Sequence, residues 1–450
     1  MNNHSAFILE DDNSSLVKSE VIGLSEQNRP LTVSYLGDKD IHSLQLKVFV
    51  IAGQHGNEKY GRKAVNLLKD LFSSFNRDFP SVRLAVLPNA NPDGSFQKTR
   101  KNAIGIDLNR DHQRLDSKEM ISIHSFVRSW KPHVIVDVHN ISSKRRDLLA
   151  KNLIIYHDVF IDTPTNPAVN QPLNHDEIDD FLKTVQMDLK SLNFTCDKYA
   201  MLKRSGRVRH STLDVNEALN SFSLRHGILT VLLEGRTPIR EEGDTDKDHV
   251  VSAQYHALLS ILKWMQAHKD HFITNQKHMA PSTKDMFALR SKYRPTGEPF
   301  KMIFRNSTTK MASVVTLCNN YTSKLEVTKY IELPTAYAVP SDKVKVIDIL
   351  NRQGFTSQFS NPSKIENIEY YDIIPKVQTT GETGTSKRVV AISKFEKKTL
   401  ENYVIFPVKQ DGGHSLAMFL EPRSIYGLQR YDDLGLSTSP GTQYPILRVL

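Results

Sequence analysis

His55 and Glu58 stand three residues apart in the stretch Val48-Phe-Val-Ile-Ala-Gly-Gln-His-Gly-Asn-Glu58. Both are zinc-ligand types, and one turn of backbone can aim both side chains at a common point. With His139 they form a possible His₂Glu set that leaves a fourth position for water, the ligand arrangement of hydrolytic zinc enzymes. An isolated H-x-x-E is common by chance, so its weight depends on the elements that deliver these residues and on what else arrives beside them.

The apolar run Leu44–Gly53 reads as a strand covered on both faces, and it releases the Gln54–Glu58 loop at its end. Val21–Leu24 and Leu31–Leu36 read as short strands around a Gln27-Asn28-Arg29-Pro30 turn. Tyr60–Phe75 has helical spacing of Ala64, Leu67, Leu68, Leu71 and Phe72. Val82–Leu87 is a second buried strand before the Asn89-Ala-Asn-Pro-Asp-Gly94 turn. Ser117 caps a helix to Trp130. His133–Val138 is a third strand, ending at His139-Asn140, and Gly227–Leu233 a fourth, ending at Glu234. Asn152–His157 fits a further strand, Asp176–Leu192 and Asp248–His268 helices, and 193–226 reads as loop.

Alternating strands and helices predict an α/β fold: a mixed, mostly parallel sheet flanked by helices. From about residue 275 the pattern becomes β-rich, with short strands at Phe300–Arg305, Ala312–Cys318, Lys324–Leu333, Ile368–Ile374, Arg388–Phe395, Tyr403–Val408 and Ala417–Leu420. Only Ser341–Gln353 reads as helix there, and Thr379–Ser386 as an exposed loop. The expected division is a lead with edge strands over 1–45, a catalytic domain over 46–272 and a β-rich C-terminal domain over 273–450.

His55 and Glu58, the Asn89–Gly94 turn, His139 and Glu234 each follow the carboxyl end of an apolar strand, where open α/β sheets place their binding crevice. Taken singly, His139 fits a hydrogen-bonded histidine at a strand end, Glu234 a carboxylate leaving the core, and Asp107 or Asp137 a turn or cap. Four strands aiming such groups at one edge fit zinc hydrolysis better.

Composition narrows the class. The 450 residues carry 59 basic and 50 acidic side chains, a net charge of +9. No nucleic-acid motif accompanies this mild excess. No apolar run reaches the roughly 18 residues of a membrane span. Neither a signal peptide nor a Cys-based metal site or disulfide framework is evident, the only cysteines being Cys196 and Cys318. The expected location is therefore cytoplasmic, with no nucleic-acid or membrane partner and an open oligomeric state.

The motifs resemble those of the carboxypeptidase A-like zinc carboxypeptidases, in particular bacterial members with a C-terminal β domain. The similar stretches are His55-Gly-Asn-Glu58, Asn91-Pro-Asp-Gly94, Arg100-Lys-Asn, Gly105-Ile-Asp-Leu-Asn-Arg110, Asp137-Val-His139 and Leu232-Leu-Glu234, in family order over about residues 20–265. Leu333-Pro-Thr-Ala-Tyr-Ala-Val-Pro340 and Leu420-Glu-Pro422 resemble the β domain. The resemblance implies one Zn²⁺ per chain on His55, Glu58 and His139, and Glu234 as general base toward water. It implies Arg100 at the oxyanion, Arg110 with Asn109 gripping a substrate carboxylate, and Asp107 behind a zinc-bound imidazole.

The implied activity is release of a C-terminal amino acid from a peptide with a free carboxylate. An N-acyl amino acid deacylase of the succinylglutamate desuccinylase or aspartoacylase type would use the same groups, and an inactive binding module is the third reading. Asp111-His112 replaces the family's usual Asn-Phe. Tyr199 lies in the stretch expected to hold the substrate-capping tyrosine, without a matching context. The cluster Lys203, Arg204, Arg207 and Arg209 suggests a preference for an acidic side chain.

Overall fold

The computed structural model describes residues 18–37, 45–169, 172–202, 208–275, 285–317, 321–359, 365–381, 384–436 and 439–450. Strands β1 (Lys18–Leu24), β2 (Pro30–Leu36) and β3 (Leu46–Ala52) lead into helix α1 (Lys59–Leu67). A 3₁₀ turn at Leu68–Leu71 then separates α1 from α2 (Phe72–Asp78), so the single helix expected over Tyr60–Phe75 is two. β4 (Val82–Leu87), α3 (Pro92–Gln97), α4 (Lys118–Trp130) and β5 (Val134–Ile141) follow. Ser117 accepts the Met120 N–H and starts α4 as anticipated.

Next come α5 (Arg146–Leu149), β6 (Leu153–Ile155), β7 (Val159–Asp162), α6 (His175–Ser191), β8 (Cys196–Lys198), β9 (Met201–Leu202) and β10 (Val208–Arg209). Helix α7 (Ala218–His226) occupies part of the stretch expected to be loop. β11 (Leu229–Arg236) and the long α8 (Gly243–Ala267), with α9 (Lys269–Asn275), complete this part.

Eight strands form one sheet in the order β1-β2-β4-β3-β5-β11-β7-β8, and β4, β3, β5 and β11 at its centre are parallel. This is the mixed, mostly parallel α/β sheet that the sequence predicts. The packing of β3 explains its near-continuous apolar run. Val48, Val50 and Ala52 pack into the core under α8, while Phe49 and Ile51 face the second core with Met120 and Phe126 of α4. Both faces are covered, so neither can be polar.

The C-terminal region contains β12 (Met286–Pro295), β13 (Phe300–Asn306), β14 (Ala312–Leu317), β15 (Tyr321–Glu332), β16 (Ala336–Pro340), α10 (Val344–Arg352) and β17 (Gln358–Phe359). β18 (Ile365–Gly381), β19 (Gly384–Thr399), β20 (Tyr403–Pro407), α11 (Ser415–Leu420) and β21 (Leu447–Val449) end the chain. In the expected loop at Thr379–Ser386, residues 379–381 and 384–386 are instead paired strand residues of the long β18–β19 hairpin, and 382–383 lie outside the described residues. Ala417–Leu420, expected as a strand, lies in α11, where all six residues are buried. A short run apolar on every side carries no period to separate helix from strand.

β6 pairs with β13, and β10 with β15, so strands from both halves of the chain share two of the smaller sheets. The larger C-terminal core also takes in Leu213, Val215 and Leu224. Gln353 donates to the carbonyls of His112 and Gln113 at 2.8 and 2.9 Å, which ties α10 to the segment after Arg110.

Candidate metal centre and catalytic cleft

β3 ends at Ala52, and the following loop folds back on the Asn91–Gly94 turn. Gly56 packs so tightly that a Cβ there would lie 2.0 Å from the Gly94 carbonyl carbon, so only glycine fits. Asn91 holds the turn from inside: its Oδ1 accepts the Gly94 N–H, and its Nδ2 donates to the carbonyls of Gln54 and Arg100 at 3.2 and 3.3 Å. Asp93 is fully buried and accepts from Ser25 Oγ and the Gln27 N–H, anchoring the turn to the β1–β2 connection. Asn91-Pro-Asp-Gly94 therefore braces the loop that presents His55 and Glu58.

His55, Glu58 and His139 each offer one ligand atom to a group lying within 4.8 Å of one another. His55 Nδ1 lies 2.7 Å from Glu58 Oε1, His139 Nδ1 lies 2.9 Å from Glu58 Oε2, and the two Nδ1 atoms are 3.1 Å apart. The outer nitrogens face carboxylates: His55 Nε2 to Asp107 Oδ1 at 3.1 Å, His139 Nε2 to Asp137 Oδ2 at 2.9 Å. Such partners orient each ring with Nε2 toward a carboxylate and Nδ1 toward the cluster.

Two ring nitrogens facing a carboxylate repel it unless a positive charge lies among them. Burial opposes charging His139, but Asp137 and Glu58 outweigh it and hold the ring protonated well above the ordinary histidine range. Burial raises the Glu58 carboxyl, yet the neighbouring His139 and His55 pull it down to about 2. Two imidazoles and one carboxylate converging in this way are a zinc-type donor set.

Behind it runs a buried polar chain. Gln54 Nε2 donates to Asp137 Oδ1 at 2.7 Å, and Gln54 Oε1 lies 2.8 Å from His112 Nε2. His112 Nδ1 lies 3.1 Å from His124 Nε2. This accounts for His112: it continues hydrogen bonding where a phenylalanine would only pack. Burial keeps both rings neutral, lowering His112 to about 3 and His124 well below its ordinary range.

β5 and β11 run in parallel register with Glu234 opposite His139. Residues paired in register share a sheet face, so Glu234 is delivered to the side of the sheet that carries the histidine. Its Oε2 is buried and has no hydrogen-bond partner among the described residues. Burial raises this carboxyl to about 7, with His139 acting in the opposite direction.

Arg100 is half exposed. Its Nε donates to Asp107 Oδ2 at 2.8 Å, and its Nη1 lies 3.9 Å from Glu58 Oε1. Asp107 therefore joins His55 to Arg100. Asn109 and Arg110 sit on a 3₁₀ turn capped by Asp107. Asn109 Oδ1 accepts the Ala218 N–H, which docks the turn on α7, and its Nδ2 lies 3.2 Å from His139 Nε2. The Asn109 carboxamide oxygen is thus engaged by protein, and the partly exposed Arg110 guanidinium donates through Nη1 to the Asn109 carbonyl at 2.6 Å.

Arg110 Nη2 lies 3.5 Å from Glu217 Oε1. Glu217 went unnoticed in the sequence because nothing in its local pattern marks it. Tyr199 is anchored by its N–H to the Ile161 carbonyl. Its ring packs against the cluster of Leu148, Ile155, Phe160 and Phe304, and burial raises its hydroxyl. Of the basic cluster, Lys203, Arg204 and Arg207 lie outside the described residues, and Arg209 is buried.

The zinc carboxypeptidase family model matches residues 8–183. Over those residues the chain is similar to zinc carboxypeptidases. Curated relatives are named as carboxypeptidases. Carboxypeptidase 2 of Trichophyton tonsurans is 22% identical over 456 residues, covering 94% of this chain and 81% of the relative. Carboxypeptidase 2 of Trichophyton rubrum is 26% identical over 229 residues, covering 48% of this chain and 43% of the relative. A metallo-carboxypeptidase from Burkholderia cenocepacia superposes with a TM-score of 0.43 at 17% identity, over 56% of this chain and 65% of that one. The zinc carboxypeptidase match ends before Glu234, whose place in the site rests on strand register. Among the described residues, no helix is long and apolar enough to cross a membrane.

Proposed function

We propose that this metallocarboxypeptidase removes the C-terminal amino acid from peptides, with one Zn²⁺ held by His55, Glu58 and His139. The observation that carries the reading is the convergence of those three groups with Glu234 in register beside His139. When bound, zinc supplies Lewis-acid polarisation of a carbonyl and acidification of a water molecule.

Glu234 is the general base: Oε2 takes a proton from water and returns it to the leaving amine. A carboxyl near neutrality, with Oε2 left without a hydrogen bond among the described residues, suits a group that must do both. Arg100, tethered by Asp107 but half exposed, directs fixed positive charge at the developing oxyanion. Arg110 binds the substrate's terminal carboxylate in bidentate fashion, and Asn109 holds the turn that aims it.

The test is a Glu234→Gln variant assayed on a blocked dipeptide beside its metal content. Full zinc occupancy with hydrolysis lost supports the assignment; near-normal turnover removes Glu234 from it. Release of acyl groups from N-acyl amino acids, without cleavage of peptides, would favour the deacylase reading.

A further inference from the structure

Arg110 and Glu217 stand on two separate arms of the chain, at 108–116 and 211–217, and neither arm is a strand of the central sheet. The arms meet where Arg110 Nη2 lies 3.5 Å from Glu217 Oε1 and where Asn109 Oδ1 accepts the Ala218 N–H. They meet again further along, where the Gln113 N–H donates to Asn216 Oδ1 at 3.2 Å. The spacing between the two arms therefore sets where the Arg110 guanidinium stands.

Residues from the far end of the chain close on both arms. Arg430, on a 3₁₀ turn at Leu428–Arg430, reaches the first arm through Nη2, which donates to Gln113 Oε1 at 3.0 Å. It reaches the second through Nη1, which donates to Asp214 Oδ2 at 3.1 Å and Oδ1 at 3.3 Å. One planar guanidinium thus spans the gap with a fork that a lysine cannot reproduce. Both targets are committed to the site. Gln113 is fully buried, with Nε2 donating to the Tyr426 carbonyl at 2.6 Å, and it lies three residues after Arg110. The Asp214 N–H donates to Thr212 Oγ1, and that hydroxyl donates to Glu217 Oε1 at 3.2 Å. Arg352 adds a bond to the Leu115 carbonyl at 2.7 Å, and Arg114 pairs with Asp433 at 2.8 Å. The metal-binding candidates stand elsewhere, on β5 and on the loop after β3. The C-terminal region therefore bears on the Arg110 side of the cleft.

Resting on the metallocarboxypeptidase reading, we propose that Arg430 is a positioning residue for substrate binding. By bracketing Gln113 and Asp214 it holds Arg110 and Glu217 at the spacing that receives a terminal carboxylate. The C-terminal region is then a brace for the substrate side of the cleft, a task separate from holding zinc. Precision matters there, because a misplacement of about 1 Å can cost up to about 10²-fold.

The zinc-loaded full chain and its Arg430→Ala, Arg430→Lys and Asp214→Asn variants are assayed on blocked dipeptides ending in Leu, Arg and Glu. Binding of free L-leucine, L-arginine and L-glutamate is followed by titration calorimetry, and zinc affinity by chelator competition. In Arg430→Ala, KM should rise about tenfold and the tightest amino acid should bind about tenfold more weakly, with kcat within about twofold. Zinc affinity should not change. Arg430→Lys keeps the charge toward Asp214 without the fork, so it should recover part of the loss. Combining Arg430→Ala with Asp214→Asn should cost no more than the larger single change, since both break one bracket. A merely structural role would lower the active fraction, and so kcat, while leaving KM in place. An unchanged KM, a fall in kcat or zinc affinity without a rise in KM, or fully additive effects of the pair overturns the proposal. If Arg430→Ala does not fold, Arg430→Lys and Asp214→Asn carry the same comparison. No hydrolysis of any peptide by the unaltered protein overturns the metallocarboxypeptidase reading alone. The calorimetry then decides: no amino acid binding by the unaltered protein, or equal affinity in Arg430→Ala, rejects the role of Arg430.

Discussion

Glu234 stands directly opposite His139 across the parallel β5–β11 ladder. A slip of one residue in that register would turn Glu234 to the far side of the sheet, into the apolar core. The apolar residues Val136, Val138, Val231 and Leu233 lock the register from that core. The placement of the proposed base beside the proposed metal ligand thus follows from ordinary strand packing.

From this, Glu234→Gln should retain zinc and fold, while kcat falls by roughly 10²–10⁴-fold, the usual worth of general base catalysis. Metal analysis and steady-state assay of the same preparation check it. Loss of zinc in step with activity would place Glu234 among the metal's supports.

Asp107→Ala should act through the metal as well as the substrate. It frees His55 Nε2 and unties Arg100. Zinc affinity should drop about 10–100-fold, as for other carboxylates behind a ligating histidine. A competition titration with a zinc chelator measures this; an unchanged affinity would show that His55 needs no such support.

Arg110→Ala should raise KM and lower kcat/KM by about 10–150-fold, matching the roughly 1.5–3 kcal/mol of a hydrogen bond to a charged group. Amidating the substrate's C-terminus should cost the unaltered protein a similar factor and cost the variant little. Equal losses in both would dissociate Arg110 from the carboxylate.

Buried neutral histidines make a pH prediction. His112 titrates near 3 in the folded state and near the ordinary 6.5 once unfolded, and His124 is depressed further. Between those limits the unfolded chain binds more protons, so unfolding free energy rises with pH. Their contribution is complete above pH 6.5 and is lost as pH falls toward 3, at up to about 1.4 kcal/mol per pH unit for each ring. Denaturant unfolding with chelator present, from pH 7.5 to 4.5, should show this slope, and a His112→Phe/His124→Leu double variant should show a shallower one.

Much of the central architecture was legible because the signals were local. Largely apolar runs marked β3, β4, β5 and β11, and each released polar residues at the same sheet edge. What stayed hidden depended on distant partners. Glu217 matters through its ion pair with Arg110, and it has no local signature. The same holds for α11, whose apolar run has no period, and for β6 and β10, which are two or three residues long and gain their partners only from β13 and β15. His112 was visible as a departure, but its hydrogen bonds to Gln54 and His124 required the fold.

The central claim meets its most direct test in mass spectrometry of a peptide of known sequence after incubation with zinc-loaded protein. The account predicts a product shorter by one C-terminal residue, together with that free amino acid. It also predicts no cleavage after chelation and none of the C-terminally amidated peptide. Cleavage at internal bonds, equal cleavage of the amidated peptide, or activity indifferent to zinc would contradict it.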